Sequence, residues 1–481
     1  MAKIVIAGAG FAGHTAALYL GHYLGKQHEI TVVNRFPYFG FVPSWVWVGV
    51  GHMKPEKTII ELEPVYRRKH VRFVQGAVTE VHPEAGEQYV LVEKGEGDQK
   101  ESLRLDYDYL LIATGPKLNY EATPGLGPHT GYTQSICSLP HAIQTRDTYL
   151  ELVKRMEKGE RVKIVVGTGH PGATCQGAAV EYISNIHKDL VRRGLRDKAD
   201  LLYLSNESAL GDFGIGGVQA RYRGQMLSSE EFMQAIFEDF GIGWQVRTAV
   251  QKVEAGKIFW ENGEGQYGET DFDFAMLIPQ FRGQPIRYIG KDGVDLASKL
   301  TNPAGFVLVD GIYGLSYDVL KRNPDAWPSV YQNPEYPNIF AAGIAFAPPG
   351  PISQPVVTPN GTNITAAPPR TGMVSGIMGR LVALNIIDLV QKGRMTHSER
   401  MSEMFAACIA SMGDSLWDGQ AAVIVVQPVV PDRRRYPNEA GRDLFSTHME
   451  AGLSGAWMKL LIHYTFMYKF HGWPFWRVIP E

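Results

Sequence analysis

Three cysteines stand in three separate settings of the 481-residue chain. Cys137 lies in Thr133-Gln-Ser-Ile-Cys-Ser-Leu139, Cys175 closes the glycine-rich run Gly167-Thr-Gly-His-Pro-Gly-Ala-Thr-Cys-Gln-Gly177, and Cys408 lies in Phe405-Ala-Ala-Cys-Ile-Ala410. No CxxC pair and no paired-cysteine or HxxxH cluster is present, so no metal site is expected. A chain this long does not need disulfide staples to hold its core. What remains is either three small apolar residues packed in the interior or a redox-active set working by thiol–disulfide exchange. Glu181, six residues after Cys175, is the candidate base for a sulfur acid. On one continuous helix that offset puts the two about 120° apart, so they meet only if Cys175 precedes the helix or caps it.

Composition narrows the class of partner. Lys and Arg number 47 against 50 Asp and Glu, a net charge of -3, which gives no electrostatic case for nucleic acid binding. A strand starting at Lys3 leaves no room for a signal peptide, and no run of 18 apolar residues is found, so no helix is expected to span a bilayer.

Two strand–turn–helix units must position the cysteines. Lys3–Ala7 is an apolar strand that ends at Gly8-Ala-Gly10-Phe-Ala-Gly13; a helical pattern and the strand Glu29–Asn34 follow. Gly8 makes the turn, Gly10 lets the backbone approach a pyrophosphate, and Gly13 lets the helix pack on the sheet. Asn34 takes the ribose-binding position, a neutral group where Asp or Glu is usual. The second unit runs from Val162 through Gly167-Thr-Gly-His-Pro-Gly172, which predicts two Rossmann-like domains with the second inserted in the first. Glu207, after the next strand, could serve as an acidic ribose partner for a nicotinamide dinucleotide; His170 and His187 read as structural histidines.

Near the C-terminus, Leu453–Trp476 holds eight aromatic residues. Leu453, Trp457, Leu460, Leu461, Tyr464 and Tyr468 fall on one helical stripe, with Lys459 and His463 off it and Phe466 and Phe470 on the far face. Such a stripe packs on the protein's own core or lies in a membrane interface. Apolar character on both faces, ending in Trp473-Pro-Phe-Trp476, favours the interface.

Tyr107-Asp-Tyr-Leu-Leu-Ile-Ala-Thr-Gly115 resembles the strand and Ala113-Thr114-Gly115 turn of two-dinucleotide flavoproteins. Pro337-Asn-Ile-Phe-Ala-Ala-Gly343 resembles their returning strand, with Ile344 in place of the usual Asp. Within that superfamily the chain resembles the sulfide:quinone oxidoreductases. The resemblance rests on the GAGFAG turn, Tyr38-Phe-Gly-Phe-Val-Pro-Ser44, Ser135-Ile-Cys137, Gly172-Ala-Thr-Cys175 with Glu181, Phe213-Gly-Ile-Gly-Gly217, Pro369-Arg-Thr-Gly372 and Ala407-Cys-Ile-Ala410. It departs from the family pattern in three places. Arg370 replaces a lysine, the stretch 348–368 is long and rich in Pro, Thr and Asn, and the C-terminus is unusually aromatic.

The resemblance implies an α/β fold with an FAD-binding Rossmann domain at 1–125 returning at 311–395, and an inserted Rossmann-like domain at 126–310 carrying Cys137 and Cys175. It implies a C-terminal segment, 396–481, carrying Cys408, a quinone site and amphipathic membrane-binding helices. FAD would be held by Gly8, Gly10, Gly13, Asn34, Ala113, Thr114, Gly115, Gly343, Arg370, Thr371 and Gly372. Sulfide would attack a Cys175–Cys408 bridge, and a transient flavin–thiol adduct at Cys408 would pass both electrons to FAD. Cys137 would tether FAD or help move the sulfur chain. Phe466, Tyr468 and Lys469 would line the quinone site. The implied partners are sulfide, a membrane quinone and a membrane surface, and the protein is expected to be monotopic, with self-association left open. Loss of everything after Leu453 is expected to release the protein from membranes yet spare the sulfide step. The competing readings are a type II NADH:quinone dehydrogenase, the flavin subunit of a flavocytochrome c, against which the lack of an export signal counts, and a flavin redox sensor without turnover.

Overall fold

The computed structural model describes residues 1–95, 100–369, 371–437 and 440–481. A five-stranded parallel sheet is built in the order Ile339–Ala341, Tyr109–Ile112, Lys3–Ala7, Glu29–Asn34 and Arg72–Gln75. Its central strand reads Lys-Ile-Val-Ile-Ala and is buried from Ile4 onward, as a parallel strand covered on both faces requires. Ile339–Ala341 pairs with Tyr109–Ile112 although more than two hundred residues separate them. A second parallel sheet has the order Ile242–Gln245, Ala199–Leu204, Val162–Thr168 and Phe274–Ile278.

Two helices form the main layer on the first sheet. Phe11–Leu24 packs along Gly372–Lys392, and the contact is close because a Cβ at Gly379 would lie 2.1 Å from the Ala12 carbonyl oxygen. Gly372–Lys392 is long and apolar enough to cross a bilayer by length and composition alone. It is mostly buried against Phe11–Leu24, which makes it a core helix.

The C-terminal quarter differs from the helical segment expected. Ala406–Met412, Gln420–Val426 and His448–Gly452 form an antiparallel sheet, which Gln219–Tyr222 and Gln225–Ser228 extend from the middle of the chain. Cys408 therefore sits on an edge strand. Among the described residues this region has one long helix, Leu453–Phe470, lying across Gln420–Val426 and Ala406–Met412.

The apolar stripe of Leu453–Phe470 is oriented opposite to a core-facing helix. Trp457, Leu461, Tyr464 and Tyr468 are exposed, while Lys459 and His463 are buried. Lys469, fully buried, pairs with Glu481 at 2.8 Å and donates to the Ile479 carbonyl at 2.6 Å. Glu481 enters the groove beside Gly376, where a Cβ would lie 3.3 Å from its carboxylate.

Removing one partner of a buried ion pair leaves an uncompensated charge, at a cost of about 3–5 kcal/mol. Lys469→Met should therefore lower the melting temperature by several degrees, and Lys469→Met with Glu481→Gln should recover most of the loss. An unchanged melting temperature in the single variant would show that the pair does not hold the tail.

Candidate functional site

The first glycine turn is a cradle open on one side. Gly8 N–H donates to the Val33 carbonyl at 2.7 Å and Ala9 N–H to Asn34 Oδ1 at 3.0 Å. Asn34 Nδ2 donates to the Phe36 carbonyl, so this residue braces the turn through its side chain. A Cβ at Gly13 would lie 2.0 Å from the Gly8 carbonyl oxygen, and one at Gly8 2.3 Å from that of Ala113. At Gly10 a Cβ would meet nothing within 4 Å, and the same is true at Gly115.

The space at Gly10 lies at the start of Phe11–Leu24, whose first turn carries no acidic side chain, which leaves the helix end favourable to phosphate. A Cβ at Gly343 would lie 3.2 Å from that of Ala12, and one at Gly372 would lie 2.7 Å from the Phe11 ring. The strand ends 113–115 and 343 and the helix starts 11 and 372 thus converge. Thr371 Oγ1, buried among them, has no hydrogen-bond partner among the described residues. A cradle with room for a pyrophosphate and an unused hydroxyl fits FAD. Arg370 lies outside the described residues.

The second turn is closed by the protein itself. Gly172 N–H donates to His170 Nδ1 at 2.9 Å, and Ala173 N–H to the His170 carbonyl at 3.0 Å. The facing carbonyls are also taken. Asn206 Nδ2 donates to those of Pro171 and Ala173, as do the backbone N–H groups of Thr365 and Ala367 from the long proline-rich stretch.

Glu207 does not face a ribose, contrary to one expectation from the sequence. It is fully buried, receives Tyr203 Oη at 2.6 Å, Ser205 Oγ at 2.9 Å and Phe213 N–H at 2.7 Å, and is pushed up to about 7 by burial. His170, in the turn, and His187, stacked on Phe240 and bonded to Arg196, are structural as the sequence indicates.

Cys175 caps the helix Gln176–Arg192 in the left-handed region (φ 68°), which resolves the six-residue offset to Glu181. The edge strand Ala406–Met412 lies along this helix. Cys408 Sγ rests over residue 177, 2.5 Å from where a Cβ would be. Surrounded by protein, Cys408 is pushed up to about 12, first by desolvation and then by Glu181; Lys459 acts in the opposite direction, and Glu207 and Cys175 also reach it.

Glu181 is buried. It accepts Ser411 N–H at 3.2 Å and the Ser411 hydroxyl, and pairs with Lys459 Nζ at 2.9 Å. Desolvation holds its carboxyl above the usual range against Lys459 and Ser411. Cys175, Thr174 and Gly172 line a cavity of about 40 Å³ with Phe281, Phe306 and Ile344, so the cysteine turn opens toward the returning strand of the first sheet. At 10–15 Å³ per water-sized site this is room for about three small molecules and far too little for a nicotinamide.

The remaining expected residues are not drawn together. Cys137 N–H donates to Ser135 Oγ, which also receives Tyr120 Oη, and its thiol is pushed up to about 11 by burial. Phe466 faces inward between Phe41 and Phe470. Tyr468 faces outward, its hydroxyl bonded to the Pro474 carbonyl and its ring against Trp473. Lys469 is committed to Glu481. The structure therefore separates Tyr468 from Phe466, because residues two apart on a helix point to different faces.

Sequence reasoning missed Lys459, Ser411 and the Tyr203–Glu207 pair. A lysine three residues from Ala456 and four from His463, on the side away from the aromatic stripe, was the available sign for the first.

Residues 2–278 match the family described as pyridine nucleotide-disulphide oxidoreductase, more than half of the chain, and the protein belongs to that family. Within it, the chain is 29% identical over 442 residues to the sulfide-quinone reductase of Aquifex aeolicus, covering 92% of this chain and 87% of that one. The crystal structure of the sulfide:quinone oxidoreductase from the same bacterium superposes with a TM-score of 0.77 at 26% identity, covering 98% of this chain and 92% of that one. The fold is shared more distantly with NDH2 from Plasmodium falciparum in complex with NADH (TM-score 0.62, 12% identity, 97% and 94% coverage).

Since a side chain at residue 10 would enter open space, Gly10→Val should leave the fold intact while filling the phosphate position. The variant is expected to purify colourless with a circular dichroism spectrum like that of the parent protein. A folded variant that kept its full flavin absorbance would refute this placement.

Proposed function

We propose that this protein is a sulfide:quinone oxidoreductase: it oxidises sulfide to polysulfide or sulfur and reduces a membrane quinone. The observation that supports the reading most is that Cys408 rests over residue 177, the second residue after Cys175, within electrostatic reach of Cys175 and the buried Glu181, while Cys175 lines a small cavity. HS⁻ attacks a Cys175–Cys408 disulfide, the S–S bond breaks, and a persulfide forms on Cys175 while Cys408 leaves as the thiolate. FAD, when bound, accepts two electrons and passes them to the quinone. Removal of two electrons closes the Cys175 persulfide and the Cys408 thiolate into a bridge that holds the added sulfur, the persulfide proton going to a base. Each sulfide thus gives up two electrons, and its sulfur stays in the bridge until it leaves as polysulfide or sulfur.

Glu181 is that base. In the disulfide Cys408 carries no proton; the proton to be removed is the one sulfide brings to the Cys175 persulfide, and the buried carboxylate whose charge reaches Cys408 is placed to take it. Glu181 lies against the Cys408 strand through Ser411, within one helical packing layer of the sulfur. Gly8, Gly10, Gly13, Ala113, Thr114, Gly115, Gly343, Thr371 and Gly372 would hold FAD, with Asn34 bracing the turn. Cys137 stands apart from this pair and has a lesser part.

Electrons leave toward the membrane. Trp457, Leu461, Tyr464, Trp473 and Phe475 give the C-terminal helix and the loop after it an exposed aromatic face, suited to lie in a bilayer interface. Phe466, inward on the same helix, is the residue proposed to line the quinone site. The protein is monotopic on this reading. The sealed second turn counts against NADH as donor.

Under anaerobic stopped flow, sulfide should bleach the flavin of the parent protein. Cys175→Ser and Cys408→Ser should each lose at least about three orders of magnitude in rate, a loss of about 4 kcal/mol of transition-state stabilisation. Cys137→Ser should keep measurable reduction. Reduction of Cys408→Ser at the parent rate would contradict the route through that sulfur.

A further inference from the structure

We infer that Lys459, carried by the membrane-facing helix, is a positioning residue that keeps Glu181 charged and aimed at Cys408, so that the sulfide site is completed by the helix proposed to lie on the membrane. The inference rests on the function proposed above and deepens it. Its basis is geometric. Lys459 Nζ lies 2.9 Å from Glu181 Oε1 and 3.1 Å from Oε2, with both side chains buried. Ser411, three residues beyond Cys408, donates both its hydroxyl and its N–H to Glu181 Oε1.

The rest of the cluster is fixed as well. Asn185 Nδ2 donates to the Ser411 carbonyl at 2.7 Å and its Oδ1 accepts from Gly413 N–H at 3.0 Å, so helix Gln176–Arg192 and the Cys408 strand are tied at both ends of the serine. On the third side, Lys459 Nζ stands 5.7 Å from the centre of the Trp47 ring, and His463, one turn on, is bonded to Ser44 at 2.8 Å.

The charges facing one another are few. Glu181 faces Lys459 and the Ser411 donors; Cys408 faces Glu181, Lys459, Glu207 and Cys175. Next to Lys459, His463 is lowered to about 4 by burial and by Lys459 itself, so it is neutral at neutral pH. Lys459 therefore supplies the positive charge of this cluster. Without it, desolvation would favour the protonated form of Glu181, and a protonated carboxyl cannot accept the proton of a thiol or persulfide.

The sign follows directly. Lys459 lowers the Glu181 pKa, and the base works above that pKa, so loss of Lys459 moves the acidic limb of the sulfide step to higher pH. On this inference the protein without residues after Leu453 would lose Lys459 as well, and its sulfide step would carry the same shift of the acidic limb, against the expectation that the truncation spares that step.

Three variants of the full-length holoprotein test the inference: Lys459→Met, Lys459→Arg, and Lys459→Met combined with Glu181→Gln. In Lys459→Met the acidic limb of sulfide-dependent flavin reduction should rise by at least about one pH unit, a loss of about tenfold in rate at a pH on that limb. Lys459→Arg should restore the parent profile. Infrared spectra without sulfide should show a carboxylic-acid carbonyl band in Lys459→Met at neutral pH that is absent from the double variant. That band requires no turnover, so it separates this inference from the proposed activity, which fails only if the parent protein is not reduced by sulfide. Should Lys459→Met not fold, the double variant, which removes both charges, should fold and lack the acidic limb that Glu181 gives the parent protein. A parent-like pH profile with no new carbonyl band in Lys459→Met, or a double variant that keeps the parent's acidic limb, would overturn the assignment.

Discussion

Cys408 can rest where it does only because residue 177 has no side chain. Any Cβ there would stand 2.5 Å from the Cys408 sulfur and push the edge strand off helix Gln176–Arg192. The same close approach lets Ser411 reach Glu181 and Asn185 reach Ser411, so one missing methyl group decides whether two parts of the chain more than two hundred residues apart form one site. The left-handed cap at Cys175 completes the approach. It turns the chain into the helix so that Cys175 lies ahead of Glu181 rather than across the helix from it.

Burial gives this site its chemical character. Cys408 and Cys137 are both raised by desolvation, yet only Cys408 has carboxylates and an ammonium around it. That difference separates a thiol set among charged groups from one beside Ser135 and Tyr120. The buried Glu181–Lys459 pair is poorly explained as a stabilising device, because two well-packed apolar residues would serve as well. A pair kept beside a cysteine at a cavity makes sense as a means of holding a charged base in a dry place. The second glycine turn makes the complementary point: the N–H groups of Gly172 and Ala173 are spent on His170, so the turn has the glycine spacing of a dinucleotide site with two of its donors already used.

Much of this was legible in the sequence. The limits of strands Lys3–Ala7 and Glu29–Asn34 follow from the sequence, since short apolar runs ending in glycine turns leave little freedom. The placement of Cys175 ahead of its helix was left as a condition, and the backbone met it. The C-terminal sheet is less legible, because the link 413–419 between Ala406–Met412 and Gln420–Val426 is longer than a two-residue hairpin turn despite its Asp418-Gly419, and the neighbour from the middle of the chain is a tertiary choice. The orientation of Leu453–Phe470 was also beyond periodicity alone. A stripe of Trp, Leu and Tyr has the same spacing whether it meets a core or a bilayer, and only the burial of Lys459 and His463 distinguishes the two.

The central claim is that this protein couples sulfide oxidation to quinone reduction at a membrane surface, and the stoichiometry of that coupling tests it most directly. The full-length protein, bound to lipid vesicles containing a long-chain quinone and kept free of oxygen, would be supplied with a limiting amount of sulfide while quinol and zero-valent sulfur are measured together. One quinol is expected for each zero-valent sulfur formed, with no quinol formed when NADH replaces sulfide. Quinol formed from NADH but not from sulfide, or sulfide consumed with no quinol, would contradict the claim.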